Sequence, residues 1–380
     1  MKLFQRLLVA PAALGFLAPI SANATEFNLK DITNYSDVDS IEFANSFNVE
    51  ESTESKLIAG GEGLVEYGDD FSETTTATFS ADFAIGAVDG NTSEDAMQLG
   101  YGYQIDLNTS FTGDDSFDVS IDAGNGSAIL SELDLNDSGT DDVLAVDGIS
   151  YTFPLGDKVT VMVGNDVEGS ALYNTACVYG GITNTLDDCG NAKSAMDTAQ
   201  ATALSASYDN GDGFTAAFGY EGAGDGTDGL LTKEGADTFG LQLGYEDEDG
   251  QFGASVTYAN YNTSSTDTAY WGLNGYWTPE DTGAIPSVSV GFEVGNPDDS
   301  TTDTRHYFVG LQWDEVGDGT LGAAFGTTAH TADNATEYIM YEAFYSYPIN
   351  DSMTVTPVIY LKEESGDDDT GVIVKTSFSF

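Results

Sequence analysis

The stretch GVIVKTSFSF, residues 371–380, decides the fold. Val372, Val374, Thr376, Phe378 and Phe380 fall on one face at period two, and Ile373, Lys375, Ser377 and Ser379 fall on the other. One face suits hydrocarbon and the opposite face suits water. An apolar alternating strand ending on an aromatic residue is the pattern of a barrel whose last strand closes against its first. Val374, Phe378 and Phe380 are the expected barrel-closing residues. The competing reading is a buried terminal strand of a soluble β-sandwich.

The same alternation recurs back along the chain. Sixteen runs separated by Gly/Asp/Asn clusters read as strands, roughly 75–88, 96–109, 116–122, 148–153, 158–164, 201–208, 213–220, 237–245, 251–260, 268–277, 285–293, 305–313, 319–326, 337–347, 353–362 and 371–380. Phe239, Leu241, Leu243 and Tyr245 share one face, and Thr238, Gly240, Gln242 and Gly244 share the other. The second face is rich in Gly, Ser and Thr, too small to fill a core, which suits a water-filled interior. With the amino terminus in the periplasm, TGDD (112–115), PLGD (154–157), NGDG (210–213), EDEDG (246–250), TPEDTGA (278–284), DEVGD (314–318) and PINDS (348–352) become short periplasmic turns. The outer side then receives 123–147, 165–200, 221–236, 294–304, 327–336 and 363–370. Long outer loops over short inner turns are the asymmetry of bacterial barrels. The expected fold is all-β, a sixteen-stranded antiparallel transmembrane β-barrel over 74–380.

Lys2 and Arg6 precede an apolar run, Leu7 to Ile20, and Ala22-Asn23-Ala24 is a small-x-small cleavage site. Residues 1–24 therefore read as a secretory signal cleaved near Ala24. Residues 25–73 are polar and acidic without alternation, and read as a periplasmic lead-in segment. Beyond the signal there is no run of about 18 apolar residues, which excludes a helical membrane protein. The mean hydropathy of -0.19 does not exclude a barrel, because alternation hides its apolar face. Against 64 Asp and Glu stand 10 Lys and Arg, a net charge of -54. That sign excludes a nucleic-acid partner. It leaves a hydrated, salt-adapted coat or a pore field that attracts cations.

The longest connection, 165–200, joins the fifth and sixth strands and carries Cys177, Cys189 and four acids, Asp166, Glu168, Asp187 and Asp188. An exported chain crosses an oxidising compartment, so a Cys177–Cys189 disulfide is expected. The loop is either a constriction or an outward-facing stapled surface loop. Alternation assigns Lys158, Arg305, Glu342 and Lys375 to the lumen wall. His306 and His330 lie far from the cysteines in sequence and no Cys-x-x-Cys is present, so a metal site is not expected.

FSETTTATFSADFAIGAVDG (71–90), YQIDLNTSFTGDDSFDVSIDAGN (103–125), ISYTFPLGDKVTVMVG (149–164), YEAFYSYPINDSMTVTPVIYL (341–361) and TSFSF (376–380) carry a resemblance. Together they resemble the porins of cyanobacterial outer membranes, which belong with the OprB-like carbohydrate-selective porins. The likeness covers most of 71–380 and thins from 165 to 335. It implies an integral outer-membrane barrel, a homotrimer, and a 165–200 loop that folds inward to narrow the channel. The closing strand would engage the barrel-assembly machinery. The chain departs from the family in two ways. Its short lead-in holds no surface-layer-homology domain, and Arg305 is the one arginine beyond the signal, whereas sugar-channel relatives line the lumen with arginines.

No Gly-x-Ser-x-Gly elbow or His-Glu-x-x-His motif occurs, so neither an enzyme nor a cofactor is expected. Asp367, Asp368 and Asp369 read as solvated charge, not as an ordered Ca²⁺ loop. The expected function is passive diffusion of inorganic ions, with cations preferred, and of small hydrophilic solutes through outer-membrane lipid. The alternatives are a carbohydrate-selective channel, a non-conducting surface or adhesive barrel, and a soluble acidic β-protein.

Overall fold

The computed structural model describes residues 75–90, 96–125, 132–133, 135, 142–196, 201–224, 229–232, 235–262 and 267–380. The expected signal (1–24) and lead-in segment (25–73) lie outside the described residues.

The first quarter of the wall is β1 (Thr75–Asp89), β2 (Gln98–Thr109), β3 (Ser116–Gly124) and β4 (Ala145–Pro154). It continues with β5 (Val159–Val167), β6 (Ala201–Asp209), β7 (Phe214–Gly222), β8 (Asp237–Glu246) and β9 (Phe252–Asn262). Next come β10 (Asp267–Trp277), β11 (Ser287–Pro297), β12 (Thr304–Val316) and β13 (Gly319–Thr327). β14 (Thr331–Ala332) has two residues and pairs back onto β12 at Thr304 and Arg305, outside the wall. β15 (Ile339–Asn350), β16 (Met353–Lys362) and β17 (Asp369–Ser379) complete the wall.

Sixteen wall strands thus form a closed antiparallel barrel, each bonded to its neighbour in sequence, with β13 paired to β15. The seam lies between β1 and β17, in register from Ser80↔Ser379 to Asp89↔Thr370. Phe79 and Phe380 extend it by exchanging two backbone hydrogen bonds of 3.0 Å. Closure leaves no unpaired edge among the described wall strands. The ring of Phe378 meets that of Phe83 edge-on across the seam at 6.1 Å.

The pleat sorts the sequence between two faces. On β8, Phe239, Leu241 and Leu243 point outward and are exposed, whereas Thr238, Gly240, Gln242 and Gly244 are buried inside. The outward face is apolar around the circumference, with Leu99, Leu243 and Trp271 more than half exposed. Near the rim that carries the tight turns the outward residues are aromatic. Phe214 and Tyr245 lie 4.6 Å apart and Tyr151 and Phe153 5.4 Å apart, between ring centroids. The turns at this rim include 155–158, 210–213, 317–318 and 351–352, and the long connections share the other rim.

The buried apolar cluster lies inside the barrel. Inward-facing Ala84, Phe308, Met340, Phe344, Val358, Tyr360 and Ile373 pack with Tyr179, Leu186 and Cys189 of the β5–β6 connection. The interior is therefore divided. One part is filled by that connection, and the other faces β2–β6.

Candidate functional site: a loop lodged in the barrel

The β5–β6 connection is held along the inner wall by a series of bonds to strand side chains. Gly169 N donates to Glu221 Oε1 of β7 at 2.6 Å, and Asn174 N to Gln242 Oε1 of β8 at 2.5 Å. Ala176 N donates to Ser255 Oγ of β9 at 3.2 Å, and Val178 N to Ser289 Oγ of β11 at 3.0 Å. Gly180 N reaches Gln312 Oε1 of β12 at 2.9 Å. Ile182 N donates to the Glu342 carboxylate of β15, which also accepts the Tyr179 hydroxyl at 2.6 Å. On the return, Asn274 Nδ2 of β10 donates to the Cys189 carbonyl at 3.0 Å, and Ser194 N donates to Glu293 Oε2 of β11. Backbone that runs through an interior needs such partners, because unpaired buried N–H groups are costly.

Wall glycines make the close approach possible. A Cβ at Gly291 would overlap the Cys189 carbonyl oxygen, and one at Gly272 would overlap Asn191 and Ser194. Cys177 and Cys189 are joined as a disulfide, with Cα atoms 6.4 Å apart, which ties the outgoing and returning limbs. A second connection braces the assembly. Leu133 bridges Thr183, Asn184 N donates to the Glu132 carbonyl at 2.9 Å, and Lys362 Nζ pairs with the Glu132 carboxylate.

The anchors come from β7 to β15, and β2–β6 supply none of those named. The inner face of β2 and β3 carries carboxylates. Register places Gln104 opposite Asp122, Asp106 opposite Ser120, and Asn108 opposite Asp118, all on the interior side. Asp106 Oδ1 accepts from Gln104 Nε2 at 2.7 Å and from Ser120 Oγ at 2.6 Å. Asp118 accepts from Asn108 Nδ2 and Ser116 Oγ, both at 2.6 Å. Asp82 of β1 adds a fourth inward carboxylate, paired at 3.0 Å with Lys375 Nζ across the seam.

Of the acids expected in the loop, Asp187 is exposed and Asp188 is half-buried, with Asp188 Oδ1 accepting from Gly190 N at 2.8 Å. Glu168 is half-buried beside Ser170, and Asp166 is exposed at the end of β5 in a left-handed conformation (φ 53°). Of the four residues assigned to the lumen wall, Glu342 and Lys375 face inward. Glu342 is only 3% exposed and is covered by the loop, so it holds backbone instead of facing open space.

The other two assignments need correction. Arg305 points outward, because Phe308 and His306 take the inward positions of β12 and the parity falls one residue away from that expected. Arg305 pairs instead with Asp333 at 3.2 Å, with 52% of its side chain exposed. Lys158 lies in the β4–β5 turn, before β5 begins, and its Nζ donates to the Asn210 carbonyl of the next turn at 2.6 Å.

Two groups escaped the sequence reading. One is the aspartate strip on β2 and β3, although polar residues occupy every second position of QIDLN (104–108) and FDVSID (117–122). The other is a recess of about 370 Å³ between the loop and the wall, lined in part by Asp188, Lys193, Tyr270, Glu293, His306 and His330. Its histidines are 24 positions apart yet stacked, with ring centroids 5.4 Å apart. No alternation or spacing could bring them together, because His330 stands on a connection that doubles back through β14.

The barrel superposes on solved outer-membrane proteins. Pseudomonas putida OprB aligns with a TM-score of 0.59 at 13% identity, over 81% of this chain and 94% of that one. An anion-selective porin from Comamonas acidovorans gives 0.58 at 14%, over 81% and 99%. A loop-deletion form of OmpT, an outer membrane protein of Vibrio cholerae, gives 0.56 at 12%, over 81% and 100%. The fold is therefore the porin-type sixteen-stranded barrel. No protein-family model and no curated protein sequence matches the chain.

Proposed function

We propose that the protein is an outer-membrane porin through which inorganic cations and small hydrophilic solutes diffuse passively. A closed barrel with an apolar outer face and an aromatic rim suits hydrocarbon, whereas in water it would be a very large exposed patch. The observation that carries the cation preference is the inward strip of Asp106, Asp118 and Asp122 on the side of the barrel away from the loop's anchors. The two inward lysines on the described wall are neutralised: Lys375 by Asp82 and Lys362 by Glu132. Selectivity in a wide aqueous pore follows the sign of charge at its narrow part. The acids of the β5–β6 connection, Asp166, Glu168, Asp187 and Asp188, would add to that field, with Asp166 and Asp187 the exposed members.

The same proposal includes export by residues 1–24 with cleavage near Ala24, a periplasmic lead-in over 25–73, and kinship with the cyanobacterial porins. It also includes a homotrimer, and recognition of Val374, Phe378 and Phe380 by the barrel-assembly machinery. The carbohydrate-selective alternative has less support, because the inward Phe308, Phe344 and Tyr360 are buried in one cluster with Tyr179 of the loop and offer no open platform for a sugar ring.

The test is single-channel conductance in a planar bilayer, with the reversal potential read across a KCl gradient. Stepwise conductance with a cation-selective potential supports the reading. Anion selectivity would discard the charge argument and keep the pore. Silence from folded, inserted protein would leave a plugged or adhesive barrel.

A further inference from the structure

The recess between loop and wall contains a linkage that permeation through the open side does not use. Glu293 of β11 is fully buried, at 0% exposure. Its Oε2 accepts the Ser194 backbone N–H, and its Oε1 contacts His330 Nε2. His330 Nδ1 lies 3.2 Å from Thr304 Oγ1, so both of its ring nitrogens are engaged. His306 stacks on His330 and is only 7% exposed, but neither of its ring nitrogens makes a hydrogen bond of normal geometry. The Ala329 backbone is the polar group that approaches it. Gly190 of the loop sits against His306 and Phe308.

We propose that Glu293, His330 and His306 form a proton-operated latch that positions residues 188–194 of the loop against the wall and releases them in mild acid. The carboxylate is the post, and His330 holds it in place from the side opposite Ser194. A proton on His306 places a positive charge in a buried position, stacked on His330, where neither ring nitrogen makes a hydrogen bond of normal geometry. Around this pair stand Glu293 from β11, Tyr270 from β10, and Asp188 and Lys193 from the loop. Moving Gly190 and its neighbours off the wall admits water to His306 and solvates the charge that a proton on it would carry. For one coupled proton, each pH unit below the ordinary imidazole value of about 6.5 favours release by up to tenfold. The Glu221 and Glu342 anchors have no such imidazole pair, so release is confined to the returning limb. Its consequence for permeation rests on the porin reading above, but the latch itself can be tested in protein that conducts nothing.

The test is amide hydrogen exchange on the full-length chain folded in detergent micelles, between pH 7.5 and 5 and corrected for intrinsic rates. Peptides covering 188–196 are expected to lose protection by roughly tenfold per pH unit below about 6.5, while peptides covering 169–182 stay constant. His306→Phe keeps a ring in place and removes the proton site, and His306→Gln removes it while keeping polarity. Either variant, with folding checked by heat-modifiable migration, is expected to abolish the step. Absence of the step in the unsubstituted protein, a step spread over the whole loop, or a step that persists in either folded variant overturns the proposal.

Discussion

The hydroxyl of Tyr179, on the outgoing limb of the loop, donates to the Glu342 carboxylate on β15 at 2.6 Å, with both groups buried inside the barrel. Burial first, and the neighbouring carboxylate second, hold the Tyr179 phenol well above its ordinary range, so it stays protonated and donating at every working pH. In Tyr179→Phe, Glu342 loses its 2.6 Å bond and keeps the longer ones from Ile182. A loss of about 1–3 kcal/mol is expected, together with noisier open-channel current. Urea titration and bilayer recording measure the two effects. An unaltered variant would show that the tyrosine only fills space.

Charge on β2 and β3 should set ion preference more than charge on the outer loops. A unit charge about 6 Å from a passing ion in water contributes roughly 0.7 kcal/mol, or about threefold in relative permeability. Asp106→Asn with Asp118→Asn is expected to lower the cation-to-anion ratio by nearly an order of magnitude. Neutralising Asp367 and Asp368, which lie in the β16–β17 connection, should change it little. The difference should shrink in about 1 M salt, where the screening length falls to about 3 Å.

A methyl group at Gly291 is expected to do what no nearby polar change does. The added Cβ would meet backbone at Cys189, which cannot rotate aside, so the loop must lift from the wall. Gly291→Ala should cost about 1–3 kcal/mol and raise exchange at 188–196. Gly275, on the outward face of β10, has more room, its Cβ falling 3.4 Å from the Gly253 carbonyl, and the same change there serves as the control.

Lys375 and Asp82 offer a test at the seam. Lys375→Met leaves the buried carboxylate without its cation, and a loss of roughly 1–3 kcal/mol is expected. Adding Asp82→Asn should restore most of it. A double-mutant cycle on urea midpoints measures the coupling.

Acid dependence should also appear in the β2–β3 turn. Burial alone would raise the Asp115 carboxyl, but donors from Thr112, Tyr151 and Ser110 outweigh it and hold the group well below the ordinary carboxylate range. A depressed carboxyl contributes stability at pH values above its unfolded value, near 4, and that contribution is lost only as the pH falls through the lower folded value. Asp115→Asn is therefore expected to lower the unfolding midpoint at pH 7 and still at pH 4, with the gap closing only in strong acid.

The wall was legible from residues 371–380 outward because a pleat forces period two on any strand with unlike faces, and the sixteen expected runs correspond to the sixteen wall strands. The interior was less legible. Inward glycines such as Gly272 and Gly291 read as the lining of an open channel, yet they are seats for loop backbone, a role that composition cannot distinguish from the first. Arg305 failed by a single residue of parity, the error to which alternating strands are most prone. Glu342 was placed on the correct face, but its task depends on a loop that lies more than 140 positions earlier in the chain.

The seam between β1 and β17 has a kinetic consequence. Its partners, such as Ser80 and Ser379, stand at nearly opposite ends of the described chain, so the contacts that remove the last two free edges have the highest order in the molecule. Every earlier stage of assembly presents β1 as an open template to any other strand. Folding should therefore behave as a single late commitment, and a chain lacking only 371–380 should aggregate instead of forming a slightly smaller barrel.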